Sequence, residues 1–149
     1  MIPPPGQRSF FSDRRGGSAV EFAVVAPVFL LMFFGTEEFA RARWTEEALS
    51  QTSITGARCM GLQLTSCATA GAYSAAATTA YIQTVAQKWG VTLAPANISL
   101  NANTSCGGVT GFSQVTLTVT FNTLAPTLLA SLSAGKSLSA TACFPNGAL

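Results

Sequence analysis

A carboxylate and a proline interrupt the most apolar segment of the chain. The segment GGSAVEFAVVAPVFLLMFFG covers residues 16–35, with Glu21 near its start and Pro27 in its middle. A membrane-spanning helix needs about 20 predominantly apolar residues, and a charged group inside one is costly and usually functional. Glu21 lies about one helical turn after Gly17, so its carboxylate can reach the membrane surface or pair with a cation, such as an amine made by cleavage nearby.

The thiols are a second source of chemistry. All the cysteines follow the apolar segment, and they are Cys59, Cys67, Cys106 and Cys143. An even number of cysteines on one side of a membrane span predicts disulfides in an oxidising compartment. Buried free thiols are the alternative. Zinc is disfavoured because the chain has neither a C-x-x-C pair nor a histidine.

The charged residues are too few and too scattered for several classes of function. They make up 9% of the 149 residues and give a net charge of +2, which does not favour a nucleic acid partner. The chain has no histidine, and no Asp or Glu follows Glu47. General acid–base catalysis normally needs one of these groups, so the sequence favours a protein that is not an enzyme, with no metal, cofactor or small-molecule substrate.

Basic residues before the apolar segment indicate its orientation. Arg8, Arg14 and Arg15 precede it, and the positive-inside rule keeps that side in the cytoplasm. The rest of the chain is then exported, in agreement with the cysteines. A cleaved signal peptide is the alternative reading, with the small-x-small sequence Ala40–Ala42 as its cleavage site.

After the apolar segment, the helix is predicted to continue through residues 37–60. Its expected apolar face is imperfect and consists of Phe39, Trp44, Leu49 and Ile54. The charged residues, Glu38 among them, are expected outside, with Glu37 and Arg41 paired at i, i+4. Arg43 and Trp44 together are a candidate interfacial anchor.

Residues 61–149 are predicted to form a small exported domain. Residues 71–89 have helical periodicity and end at Gly90, while 114–122 and 137–144 alternate as half-buried strands. A weaker strand is predicted over 91–100, a loop over 101–111, and a short helix over 123–136 whose leucines close the core or, alternatively, face a partner or membrane. The predicted fold class is α+β: a long N-terminal transmembrane helix continuing into a small domain, in which a second helix packs on a three- to four-stranded antiparallel sheet.

The predicted strands favour one of the three possible cysteine pairings. If 114–122 and 137–144 are antiparallel, Cys143 lies near the start of the earlier strand, where Cys106 can reach it. We therefore predict Cys106–Cys143 and Cys59–Cys67, each contributing about 2–4 kcal/mol to stability.

The sequence RRGGSAVEF followed by an apolar helix resembles the processing site of a known family. The family is that of the TadE-like minor pilins or pseudopilins of the tight-adherence (Tad, type IVc/Flp) pilus system. The resemblance implies cleavage by a prepilin peptidase between Gly16 and Gly17, with a cut after Gly17 as the alternative, and makes Glu21-Phe22 the processing and assembly motif. It implies a cytoplasmic leader over 1–16, a transmembrane helix over 17–36, a helix extension over 37–60 and an exported domain over 61–149.

The resemblance also covers EEFARARWTEEALSQTSITGARCMG and the closing strand–loop–strand. It implies that Glu21 helps assembly, partly by pairing with the N-terminal amine of a subunit. The implied partners are the bacterial inner membrane, the prepilin peptidase and other Tad pilus subunits and assembly proteins. The implied location is single-pass in that membrane with a periplasmic C-terminal domain, with incorporation into the extracellular pilus left open. The alternative function is a membrane-anchored module that binds a surface independently of a pilus.

Overall fold

The computed structural model describes residues 17–123 and 135–147 of the chain, which form an α+β fold. The chain divides into two compact units, the first ending at Glu37 and the second beginning at Glu38. The described elements are the helices α1 (Gly17–Gly61) and α2 (Ala75–Lys88), a 3-10 turn (Pro95–Asn97), and the strands β1 (Ala68–Thr69), β2 (Ala72–Tyr73), β3 (Ile98–Cys106), β4 (Val109–Thr120) and β5 (Ser137–Pro145). The predicted fold class is confirmed. The predicted short helix over 123–136 falls mostly outside the described residues, and its described ends, Thr123, Gly135 and Lys136, are not helical.

Alternating apolar residues place β4 at the centre of a three-stranded antiparallel sheet of order β3-β4-β5. Val115 and Leu117 are fully buried on one face. Leu117 lies opposite Ile98 of β3 and Ala140 of β5. Half-buried and exposed residues also alternate along β5, so the predicted strand faces in 114–122 and 137–144 are confirmed.

A two-residue turn joins β3 and β4, so the loop predicted over 101–111 is wrong. Gly107 and Gly108 have φ values of 61° and 84°, and positive φ at both central residues is what a type I′ hairpin turn requires. The strands therefore continue to Cys106 on one side and from Val109 on the other. Gly107 and Gly108 form the turn. The polar residues before them belong to β3, which lies at the edge of the sheet and shifts register against β4 between Asn101 and Ser105.

The strand predicted over 91–100 is wrong in its first part. Residues 91–94 have no regular structure, the 3-10 turn starts at Pro95, and β3 begins at Ile98. Proline has no N–H to donate to a strand ladder and favours the first position of a helical turn.

Helix α2 begins later than predicted and ends where predicted. It starts at Ala75, not at 71, because Gly71 (φ 80°) lies in the turn between β1 and β2 and Ser74 caps the helix by accepting a hydrogen bond from Ala77 N at 3.3 Å. At the other end, Gly90 has a φ of 77° and donates to Gln87 O at 2.9 Å. This geometry is a Schellman motif, so the role predicted for Gly90 in ending the helix is confirmed.

The face that α1 buries in the second unit differs from the predicted one. Leu49 is buried, but Phe39, Trp44 and Ile54 are about half or more exposed. The buried side of this part of α1 consists mainly of small residues, namely Ala48, Leu49, Thr52, Ser53, Gly56, Ala57, Cys59, Met60 and Gly61. Small side chains permit close approach: a Cβ on Gly56 would lie 2.9 Å from side-chain atoms of Ile82 in α2. The core thus joins α1, α2 and β4.

One buried hydroxyl in this core has no hydrogen-bond partner, and it yields a prediction about stability. Thr52 is 1% exposed and its Oγ1 is unpaired. Thr52→Val removes that hydroxyl at nearly constant shape, so we expect the free energy of unfolding to rise by about 1 kcal/mol. Unfolding of the detergent-solubilised chain in urea, followed by tryptophan fluorescence, measures the change.

Thr78 provides the matched control for this prediction. It is equally buried, but its Oγ1 donates to Ser74 O at 2.8 Å and lies 3.3 Å from Cys67 O. Thr78→Val should therefore lower stability by about 1 kcal/mol, because it removes a buried hydroxyl that makes a hydrogen bond. If both substitutions change the free energy of unfolding by the same amount, the missing hydrogen bond at Thr52 does not affect stability.

Candidate functional site in helix α1

The first half of α1 exposes large apolar side chains along its length. From Val20 to Phe34, their exposed fractions range from 47% to 73%. None of the most apolar 18-residue window is buried within the protein, and the helix is continuous through Pro27. Exposure of so large an apolar surface to water is unfavourable, and such a surface is typical of a membrane or protein contact. By length and composition the segment can cross a membrane, and it fits a single-pass membrane anchor.

The predicted processing motif lies at the start of this segment. Gly17 is the first described residue of α1, and Gly16 lies outside the described residues. Glu21 and Phe22 are both exposed on the helix. Among residues 17–123 and 135–147, the ion pairs are Arg41–Glu38 and Arg43–Glu46, so Glu21 presents its carboxylate without joining either.

A buried carboxylate appears where the second unit begins, in contrast to the exposed position predicted for Glu38. Glu38 is 8% exposed and pairs with Arg41 Nη1 at 2.9 Å. Thr123 Oγ1 donates to Glu38 Oε1 at 2.8 Å, and the Arg41 guanidinium lies 5.5 Å from the centre of the Phe121 ring. The predicted Glu37–Arg41 pair is thus replaced by Glu38–Arg41. These contacts attach the chain that follows β4 to α1.

Two tryptophans meet further along the same unit. The rings of Trp44 in α1 and Trp89 after α2 have their centres 5.6 Å apart. The Trp44 Nε1–H donates to the Trp89 carbonyl at 3.1 Å, while 57% of Trp44 stays exposed. The buried stripe of α2 consists of Thr78, Ile82 and Ala86.

The cysteines form two disulfides with the predicted pairing. Cys59–Cys67 joins the end of α1 to the residue before β1, and both residues are buried. Cys106–Cys143 links β3 to β5, the two strands that flank β4. Beside the first disulfide, burial raises the pKa of the Tyr73 phenol above its usual value near 10, so the phenol is neutral at physiological pH. Within the described parts of the chain, no group of three or more His, Cys, Asp or Glu is placed to hold a metal ion.

Sequence reasoning missed Glu38 and the small-residue face of α1. The burial of Glu38 depends on Thr123, which is 85 residues away, and no local pattern reports such a contact. The small-residue face did leave a signal, since Ala48, Thr52 and Gly56 recur at helical spacing.

The described residues define the class of protein: a chain with an apolar helix that fits a single-pass membrane anchor and a small, disulfide-linked α+β unit. Residues 16–58 match the family model described as TadE-like protein, which confirms over that segment the resemblance inferred from the sequence. The match over this segment is consistent with a TadE-like protein of Tad pilus systems. No curated protein and no solved structure matches the chain significantly.

Proposed function

We propose that this chain is a minor pilin or pseudopilin that a prepilin peptidase processes and that takes part in assembling an adhesive Tad-type pilus. The observation that carries the proposal is the extent of the TadE-like match, which begins at Gly16 and runs through Glu21-Phe22 to Arg58. The match therefore includes both sides of the proposed scissile bond and the helix that would anchor the product.

The proposed role of Glu21 follows from its place in an apolar helix. Cleavage after Gly16 leaves Gly17 with a free α-amino group about one helical turn before Glu21. In an environment of low dielectric constant, a carboxylate and an ammonium attract each other far more strongly than in water, provided that the pair is well formed. The amine can belong to the same subunit or to a neighbour, and in the second case the pair links adjacent subunits during assembly.

The proposed location is the bacterial inner membrane, with the N-terminus in the cytoplasm. The arginines before the span and the cysteines after it support this orientation. The second unit then lies in the periplasm, where its disulfides can form, and the processed subunit can be drawn from there into the extracellular fibre. The partners are the peptidase and the other pilus subunits and assembly proteins.

The first test of this proposal is the intact mass and N-terminal sequence of the protein extracted from membranes of cells with their own peptidase. We expect a chain that starts at Gly17 and retains the apolar helix. Gly16→Val should abolish this processing and leave the full chain from Met1. An uncut wild-type chain would contradict the proposal and favour a surface-binding module, whereas a chain beginning after Ala42 would identify the helix as a cleaved signal peptide.

A second prediction concerns Glu21 itself. Glu21→Ala and Glu21→Gln should both be cleaved and remain in the membrane, yet pilus assembly should be lost because neither side chain carries the negative charge that forms an ion pair with an ammonium group. Pili recovered by shearing and counted by electron microscopy measure the effect. Glu37→Ala is the matched control, since Glu37 is exposed on the same helix after the apolar segment. Normal pili with Glu21→Ala would exclude this role for the carboxylate.

A further inference from the structure

We propose that β5 pairs edge to edge with β5 of a second copy of this chain, so that the three-stranded sheets of two second units join. β3 and β5 are the outer strands of the sheet. An outer strand presents backbone N–H and C=O groups to which another strand can bond. The proposal concerns the second unit alone, and it depends neither on cleavage nor on a pilus.

The hydrogen bonds at the two ends of β5 show which of its backbone groups face outward. Phe121 N donates to Lys136 O at 2.9 Å, and Asn146 N donates to Gly111 O at 2.8 Å. Because bonded and non-bonded pairs alternate in an antiparallel ladder, the even-numbered residues of β5 bond to β4. The odd-numbered residues direct their backbone groups away from β4, and those with an N–H are Ser137, Ser139, Thr141 and Cys143. Within the described residues, no backbone hydrogen bond reaches this outer side of β5.

The other outer strand has features that oppose edge pairing, and β5 lacks them. β3 shifts register against β4 between Asn101 and Ser105, and the Asn103 N–H donates to the Asn101 side chain at 3.2 Å. Irregularities of this kind protect a sheet edge from another strand. β5 keeps one register with β4 throughout, carries no charged side chain, and has no proline before Pro145 at its end. The regular edge of β5 is therefore the one suited to pairing.

The backbone of β5 is complementary to a second copy of itself. In an antiparallel pair centred on Ala140, Ser139 of each copy lies opposite Thr141 of the other. Every outward N–H of β5 then meets a carbonyl of the second copy. A slide of the two strands by two residues would instead place Ser137 opposite Pro145, which has no N–H. The strand thus favours one register with itself.

The side chains and charges of β5 favour the same occupant. On the side toward the core, Leu138 lies opposite Ala142 of the second copy, and Ala140 lies opposite its own copy. All three are half-buried at the margin of the core, so a second strand would cover their remaining apolar surface. Lys136 precedes β5, and its two copies lie at opposite ends of the antiparallel pair, separated by about 27 Å of strand. A parallel pair would bring these two charges together.

Hydrogen exchange of single amides tests the proposal in the full chain, isotopically labelled and solubilised in detergent. Exchange is followed by NMR at increasing ratios of protein to detergent. We expect the outward amides of Ser139 and Thr141 to exchange fast at the lowest ratio and to slow as the ratio rises. The Ala140 amide is the internal reference, because it bonds to β4 and should exchange slowly at every ratio. Association through the apolar helix alone would leave the outward amides fast.

Paired substitutions identify the strand that makes the contact. Ser139→Lys with Thr141→Lys places lysine opposite lysine in the proposed pair, so the slowing should be lost. An unlabelled chain with Ser139→Glu and Thr141→Glu should restore it when added to the lysine variant, because opposite charges then meet. Asn103→Lys with Ser105→Lys is the matched control. Both of these residues are exposed on β3, so their substitution should leave the slowing unchanged.

Three results would overturn the proposal. Outward amides that exchange fast at every ratio would show that β5 does not pair. Outward amides that exchange slowly even at the lowest ratio would show that the edge is covered within a single chain. Slowing that persists in the lysine variant would assign the contact to another surface or another partner. None of these measurements involves cleavage or pili, so they can fail while the proposed function holds, and the reverse is also true.

Discussion

Replacing both Cys106 and Cys143 by alanine is expected to lower the free energy of unfolding of the second unit by about 4 kcal/mol. The disulfide has a sequence separation of 37 residues and connects β3 with β5, which do not pair with each other in the sheet. A cross-link over a loop of that length removes much conformational freedom from the unfolded chain. Since small domains are stable by only about 5–15 kcal/mol, the loss should be visible as early unfolding in urea.

The control for this prediction uses the single variants. Either Cys106→Ala or Cys143→Ala opens the same loop, so each single variant should lose nearly as much stability as the double variant. The reduced wild-type protein should resemble them once the buried Cys59–Cys67 disulfide is shown by thiol labelling to remain closed. If the single losses instead added up to the double loss, packing of the side chains and not the cross-link would be responsible. Tryptophan fluorescence reports on this unit because both indoles lie within it.

The sequence predicted most of the sheet because alternation is a local property. The two-residue spacing of apolar side chains in this strand predicts a buried face. Three of these side chains are buried in the structure, namely Val115, Leu117 and Phe121. Their partner strand showed the same period-two pattern, which was also sufficient to place Cys143 near Cys106. What composition could not reveal was the length of the β3–β4 hairpin, since polar residues that resemble a loop also suit an exposed strand edge.

The errors in α1 have a different physical origin. A large apolar residue is expected to be buried, but a helix that must approach another closely buries small residues and leaves its large ones outside. Gly56 lies at the centre of such a contact, where a Cβ would be 2.9 Å from the side chain of Ile82. Because Ile82 belongs to another helix, the sequence around Gly56 does not reveal the contact. The same dependence on tertiary structure explains Glu38, a charged residue whose burial is offset by Arg41 and Thr123. The Glu21-Phe22 motif is the reverse case, because its proposed role in processing and assembly rests on local sequence alone and is tested by the cleavage and assembly experiments above.

Gly56→Val should destabilise the second unit by about 3 kcal/mol. The first added carbon would lie 2.9 Å from both Cγ1 and Cδ1 of Ile82 and 3.5 Å from Cγ2 of Val115. Ile82 and Val115 are fully buried, so neither has free space into which to move. Gly35→Val is the matched control, because Gly35 lies in the same helix and has no neighbouring heavy atom within 4 Å of an added Cβ. We expect it to leave the urea unfolding of the second unit unchanged.

A double-mutant cycle identifies the contact responsible. Ile82→Ala alone removes a buried side chain and should lower stability by about 2–5 kcal/mol. It also removes both atoms that a side chain at position 56 would meet, so Gly56→Val combined with Ile82→Ala should lose at least about 1 kcal/mol less than the sum of the single losses. Strict additivity would show that Gly56 is required for another reason, such as the backbone of α1. A favourable coupling would establish that Gly56 stabilises the second unit by permitting the close approach of α1 to Ile82 of α2.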